Sequence, residues 1–143
     1  MTIPKKSTIF KNIQRDKDAR GSILSIVDEP VNNVSIITCK AGSIRSNHYH
    51  YKDFHFMYVL EGDFDYFFKD VDTGKVCYFR VKEGETIFTP PLEEHACYFP
   101  NTTTLVVSSK NPRDKDTYEA DTVRVEFITQ SNIFAMLDAH GTN

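Results

Sequence analysis

Short apolar runs rich in Val, Ile, Thr, Phe and Tyr recur from residue 22 to residue 128, separated by turn residues. The pattern predicts strands over 22–27, 33–40, 44–50, 55–62, 63–71, 75–81, 86–90, 95–99, 103–109 and 121–127. No helical period competes with them. Asp72-Thr73-Gly74 stands between two aromatic runs, and Gly74 can take the positive φ of a tight turn, so 63–71 and 75–81 are expected to pair as a hairpin. Pro90-Pro91 ends a strand at an edge or bend. Only 131–140 reads as a helix, with Ile133, Phe134 and Leu137 on one side after a capping Ser131 or Asn132. The charged, strand-poor stretch 110–120 is expected to be a solvated loop.

Many short antiparallel strands point to an all-β sandwich or barrel. With 143 residues and 40% hydrophobic content, the chain can fill one core, so a single domain spanning 1–143 is expected. A net charge of −3 with scattered Lys and Arg leaves no footprint for nucleic acid. No apolar stretch is long enough for a signal peptide or a membrane span, so a cytoplasmic location is expected. Cys39, Cys77 and Cys97 are odd in number and widely spaced, which fits small core residues in a reducing compartment. Phe64, Tyr66 and Phe68 alternate down one strand as a barrel lining or an interface would.

The candidate chemistry lies in His48-Tyr49-His50 and His55. On a strand His48 and His50 share a face, roughly 6–7 Å apart along the chain, and can converge on one ion. An H-x-H pair alone is as often an ordinary polar patch as a site. Here four of the five histidines fall in strand regions, and His95 is the obvious further ligand; His140 lies in the tail.

The spacing decides the matter. Gly42, five residues, His48-Tyr49-His50, four residues, His55, six residues and Gly62 match the first motif of the cupin superfamily interval for interval. Gly84, five residues, Pro90, then Leu92, two residues, His95, three residues and Phe99 keep the spacing of the second. The chain thus resembles the cupins, with Leu92 and Phe99 replacing a glycine and an asparagine. The resemblance implies an RmlC-like jelly-roll barrel, the cupin double-stranded β-helix, over about 22–128 with a short C-terminal helix. It also implies metal ligands at the mouth: His48, His50 and His95 in the histidine places, and His55 where a glutamate is usual. A divalent ion (Zn, Fe, Mn or Ni) is the expected cofactor. His55 in place of a carboxylate removes one negative charge, making a bound cation a stronger Lewis acid. Alternatively His55 faces away from a three-histidine site, or the histidines act as acid/base groups without metal.

A narrower resemblance rests on Asp18-Ala19-Arg20-Gly21, on Arg45 before the H-x-H pair, and on Asp121-Thr122. These look like the sugar-nucleotide epimerases and keto-isomerases, including the cupin domains of capsular-polysaccharide enzymes; Ser46 stands where those have glycine, which narrows the approach. The implied enzyme is an epimerase or keto-isomerase acting on a keto-sugar nucleotide. His48 or His50 would be the base and a tyrosine the acid, from Tyr49, Tyr58, Tyr66 and Tyr98 with Tyr58 and Tyr66 preferred, since Tyr49 faces away from the histidines. Arg20, Arg45 and Lys52 would bind the substrate, with the arginines on its diphosphate. Cupins of this type commonly dimerise, so a homodimer is expected. A metal-dependent dioxygenase or lyase, and a binding protein without catalysis, are the alternatives.

Overall fold

The computed structural model describes residues 3–10 and 12–141. Its strands are β1 (Thr8–Phe10), β2 (Ile13–Asp18), β3 (Gly21–Ser25), β4 (Asn33–Cys39), β5 (Ser43–His50) and β6 (His55–Glu61). They continue as β7 (Asp63–Lys69), β8 (Val76–Lys82), β9 (Thr86–Thr89), β10 (His95–Phe99), β11 (Thr103–Ser109) and β12 (Thr122–Arg124). Two helices follow β11: α1 (Lys115–Ala120) before β12 and α2 (Ile133–His140) after it. Among the described residues no helix is long and apolar enough to cross a membrane.

Ten strands form two five-stranded antiparallel sheets, in the orders β1-β9-β6-β11-β4 and β12-β5-β10-β7-β8. Their inner faces meet as a jelly roll because each strand alternates an apolar residue inward. Phe64, Tyr66 and Phe68 of β7 pack there with Met57, Val59, Phe99, Leu105 and Val107, and the Phe64 and Phe99 rings stack at 5.0 Å. Burying each large side chain contributes about 1.5–3 kcal/mol. Cys39 and Cys97 are buried in this core and Cys77 packs against it, all three as free thiols.

The predicted hairpin is β7–β8, closed by Gly74 at φ 71° and by Asp70, whose carboxylate accepts from the Asp72 and Thr73 amides. Other expectations are corrected. The stretch 110–120 is not all loop: α1 forms within it because Asp114 caps it, accepting from the Thr117 amide at 3.1 Å. The strand expected over 121–127 stops at Arg124, and beyond it the amides of Phe127 and Ile128 turn to the Asn47 side chain instead of a ladder. In α2 Ile133 is buried, but Phe134 is 67% exposed and does not share its face. Asn132 stands at the N-cap position, yet its side-chain oxygen accepts from Thr129 rather than from the helix.

Two backbone features aim the histidines. Against β10, His95 pairs with His48 while Ala96 pairs with Ser46, so Asn47 is an extra, bulged residue. Ser46 and Asn47 both take positive φ, 71° and 56°, the left-handed region that a glycine, without a Cβ, enters most easily. Leu92, at the other substituted glycine position, also has φ 71°, and its amide donates to the His50 carbonyl at 2.6 Å.

Candidate active site at the barrel mouth

β5, β6 and β10 bring four buried histidines together. Ring centroids are 4.5 Å apart for His48 and His50, 4.8 Å for His48 and His95, and 4.9 Å for His50 and His55. His55 therefore points inward. Its Nε2 lies 3.0 Å from that of His50, and its Nδ1 lies 2.8 Å from Ser109 Oγ.

The partners assign most of the ring protons. Thr122 Oγ1 donates its only proton to the Tyr118 carbonyl, so at 3.2 Å from His50 Nδ1 it accepts, and His50 carries its proton on Nδ1. His50 Nε2 then accepts from His55 Nε2–H. His95 Nδ1–H donates to the Glu93 carbonyl at 3.0 Å, leaving its Nε2 free. Among the described residues, His48 Nδ1 is buried without any partner.

Burial keeps all four rings neutral. It pushes His48 down to about 2 and His95 to about 4, holds His55 well below the ordinary value, and lowers His50, with the neighbouring histidines adding to the effect on the other three. Neutral imidazoles with free lone pairs can take a proton or bind a metal.

A carboxylate is present after all, two residues from where one was sought. Asp53 is buried with Oδ2 3.6 Å from His55 Nε2, while its Oδ1 accepts from the Asn111 amide. Desolvation raises its pKa. The expectation that His55 leaves the site without negative charge is thereby corrected. Asp53 lies just before β6, two residues from His55, and that nearness in sequence was the available signal.

Two residue sets have ligand atoms all within 4.8 Å of one another: His48, His50 and His95, and His50, Asp53 and His55. The outward nitrogens of His50, His55 and His95 are held by Thr122, Ser109 and Glu93, which orients the rings as metal ligands usually are. The donor set fits a divalent cation that accepts nitrogen ligands; binding it would move the His55 proton to Nδ1, where Ser109 can accept it.

The histidines open on a cavity of about 90 Å³, floored by Met57, Leu105 and Val107. Arg45 lines its rim, donating to the Thr38 carbonyl at 3.1 Å. Arg113 and Tyr118, from the segment carrying α1, line it as well. Tyr118 sits edge-on to His50 at 5.4 Å and to His48 at 6.2 Å. Neither residue was visible as a candidate in sequence, because only the fold brings this segment over the mouth.

The other expected site residues lie elsewhere. Tyr58 alternates with the inward Met57 and Val59, so it occupies the opposite face of β6. Tyr66 is completely buried in the core, its hydroxyl bonded to Ser7 and Thr89 at 2.7 and 2.8 Å. Tyr49 packs against Tyr51 on the opposite face, as expected, and Tyr98 packs beside α2. Lys52 is exposed beyond α1, its amide donating to Asp121. Arg20 ends the β2–β3 hairpin with its side chain 86% exposed and paired to Asp18.

The fold is shared with solved sugar-nucleotide enzymes. The sugar 3,4-ketoisomerase QdtA from Thermoanaerobacterium thermosaccharolyticum, in complex with TDP, superposes with a TM-score of 0.65 at 19% identity, covering 85% of this chain and 90% of that one. The WlaRB TDP-quinovose 3,4-ketoisomerase from Campylobacter jejuni gives 0.67 at 16% identity over 82% and 97%. The dTDP-4-dehydrorhamnose 3,5-epimerase from Sulfolobus tokodaii gives 0.69 at 14% identity over 89% and 81%. These likenesses confirm the RmlC-like cupin jelly roll. No curated protein matches the sequence. The family model for the polysaccharide biosynthesis C-terminal domain matches residues 16–123, and the chain belongs to that family.

Proposed function

We propose that the protein is an enzyme that moves a proton next to the keto group of a sugar nucleotide, as an epimerase or keto-isomerase. The observation that carries this reading is His48: an imidazole with a nitrogen that has no partner among the described residues, lining the cavity of a fold shared with such enzymes. It is the base. His50 is tied on both nitrogens and orients the cluster. Tyr118 is the acid in place of Tyr58 and Tyr66, because it faces the histidines and burial raises its pKa, keeping its proton at neutral pH. Arg45 at the rim binds the diphosphate.

A divalent metal would be held by His48, His50 and His95, or by His50, Asp53 and His55, the second set leaving His48 free. When bound it would supply Lewis-acid stabilisation of an oxyanion. The oxygenase, lyase and binding-only alternatives have no observation of their own.

The segment 110–121 is held over the mouth by the Lys52 and Asp53 amides donating to the Asp121 carboxylate, the Asn111 amide donating to Asp53, the Tyr51 amide donating to the Asp121 carbonyl and the Lys110 amide donating to the Phe54 carbonyl.

A homodimer is also proposed. β4 is a sheet edge whose Val34 and Ile36 face outward, Ile36 72% exposed, and Ile13, Ile23 and Leu24 of the β2–β3 hairpin are exposed too. Sedimentation across a concentration series is expected to give twice the chain mass; a monomer throughout would refute it.

Incubation with dTDP-4-keto-6-deoxyglucose in deuterated water tests the function. Deuterium is expected at a ring carbon beside the keto group. Absence of exchange with any dTDP- or UDP-4-keto-6-deoxyhexose would end this reading.

A further inference from the structure

Among the described residues, two buried side-chain nitrogens lack a hydrogen-bond partner, His48 Nδ1 and Arg113 Nε. Both residues line the same cavity. Unpaired buried polar groups are rare and destabilising, and two at one cavity point to a ligand that satisfies both.

Arg113 is built to be held still. Its guanidinium lies over the Tyr118 ring, 5.1 Å from the centroid. Among the described residues it forms no ion pair. Its cavity neighbours His48, His55 and His95 are neutral, and Asp53 is engaged by the Asn111 amide and directed at His55. A guanidinium fixed over an aromatic ring and bonded to no carboxylate among the described residues is preorganised for negative charge that appears during reaction.

We propose that Arg113 is a catalytic residue whose Nε–H donates to the substrate's keto oxygen and takes up its enolate charge, while His48 Nδ1 faces the carbon that loses its proton. This rests on the keto-sugar reading above. In the step, the α C–H bond breaks and its proton forms an N–H bond at His48. The freed electron pair makes the C=C bond, and the carbonyl π pair moves onto the oxygen held by Arg113. Return of a proton to the same carbon from the other side gives an epimer. Return to the former carbonyl carbon, with the neighbouring hydroxyl proton passing between the oxygens, gives the keto-isomer. Neither outcome needs an oxidant or reductant.

The test measures solvent exchange and turnover with dTDP-4-keto-6-deoxyglucose, and dTDP binding, for the wild type, Arg113→Met, Arg113→Lys and Arg113→Ala. The expected kcat loss in Arg113→Met is about 100- to 1000-fold, with dTDP affinity unchanged to within about threefold. Added guanidinium is expected to restore part of the rate in Arg113→Ala and none in the wild type. Arg113→Lys keeps stem and charge but not the fork, and is expected to lose at least about tenfold, which separates chemistry from any folding failure of the shorter variants. A kcat within about threefold of wild type in Arg113→Met or Arg113→Lys overturns the proposal alone. So does a loss confined to dTDP binding, which would make Arg113 a diphosphate ligand. A wild type inert toward every keto-sugar nucleotide overturns the functional reading and this role with it.

Discussion

Two buried polar clusters meet at His95, and they are built on opposite terms. On one side Glu93, completely buried, accepts from the Ser7 amide and hydroxyl, and Ser7 continues through the Tyr66 hydroxyl to Thr89. The Tyr66 ring stacks on His95 at 6.1 Å. Every polar side chain in that chain of groups has a partner, and the network fastens β1 to the barrel. On the other side His48 and Arg113 each leave a buried nitrogen unpaired beside a cavity. Saturation marks a structural network; unmet hydrogen-bonding capacity in residues that line a cavity marks a candidate site. The residue types alone would not separate them, since a tyrosine and a glutamate look as catalytic in sequence as an arginine does.

The largest expected effect that sharpens this contrast is on the pH dependence of stability. His48 and His95, held to about 2 and about 4 when folded, refuse protons that the unfolded chain binds at its ordinary 6.5. Stability is therefore lost as pH falls through 6.5, by about 1.4 kcal/mol per pH unit for each proton bound only on unfolding. Glu93 acts the other way. Burial raises it from 4.5 to about 7, so between those values the folded state keeps a proton the unfolded chain releases, and stability falls as pH rises. With His50 and His55 also lowered, the histidines outnumber it. Urea unfolding with chelator present is expected to show falling stability from pH 7 to 5, and a steeper fall in Glu93→Gln. A flat profile in the wild type would contradict the assignment.

A smaller effect separates the clusters by mutation. Tyr66→Phe strips a hydroxyl with two partners and is expected to cost about 1–3 kcal/mol. His48→Phe removes a nitrogen that has none, and is expected to leave stability unchanged or raise it by about 1 kcal/mol. Urea midpoints in the reverse order would break the comparison.

How much of this could be read from the chain follows from periodicity. Half-buried strands such as β6 and β7 alternate and were legible. β2 is exposed at every position, so it has no alternation to read, and β1 is only three residues long. α1, at six residues, is too short for a helical period, and its signal lay in the Asp114 cap. The histidines were legible because their motif is local in sequence. Ser46 and Leu92, where the motifs expect glycine, both take the positive φ that glycine accommodates best. Asp53 was overlooked because the motif placed the carboxylate two residues later. Arg113 and Tyr118 come from a segment with no motif, and their place over the mouth is set by Asp121 and Asn111 contacts made only in the fold.

The central claim is that proton transfer belongs to the cluster with unmet capacity and not to the saturated one. Its most direct test is the rate of deuterium uptake from solvent into dTDP-4-keto-6-deoxyglucose, compared between His48→Asn and Tyr66→Phe. A loss of about 100- to 10,000-fold is expected for His48→Asn, and a rate within about threefold of wild type for Tyr66→Phe. Near-wild-type exchange in His48→Asn, with exchange abolished in a folded Tyr66→Phe, would contradict it.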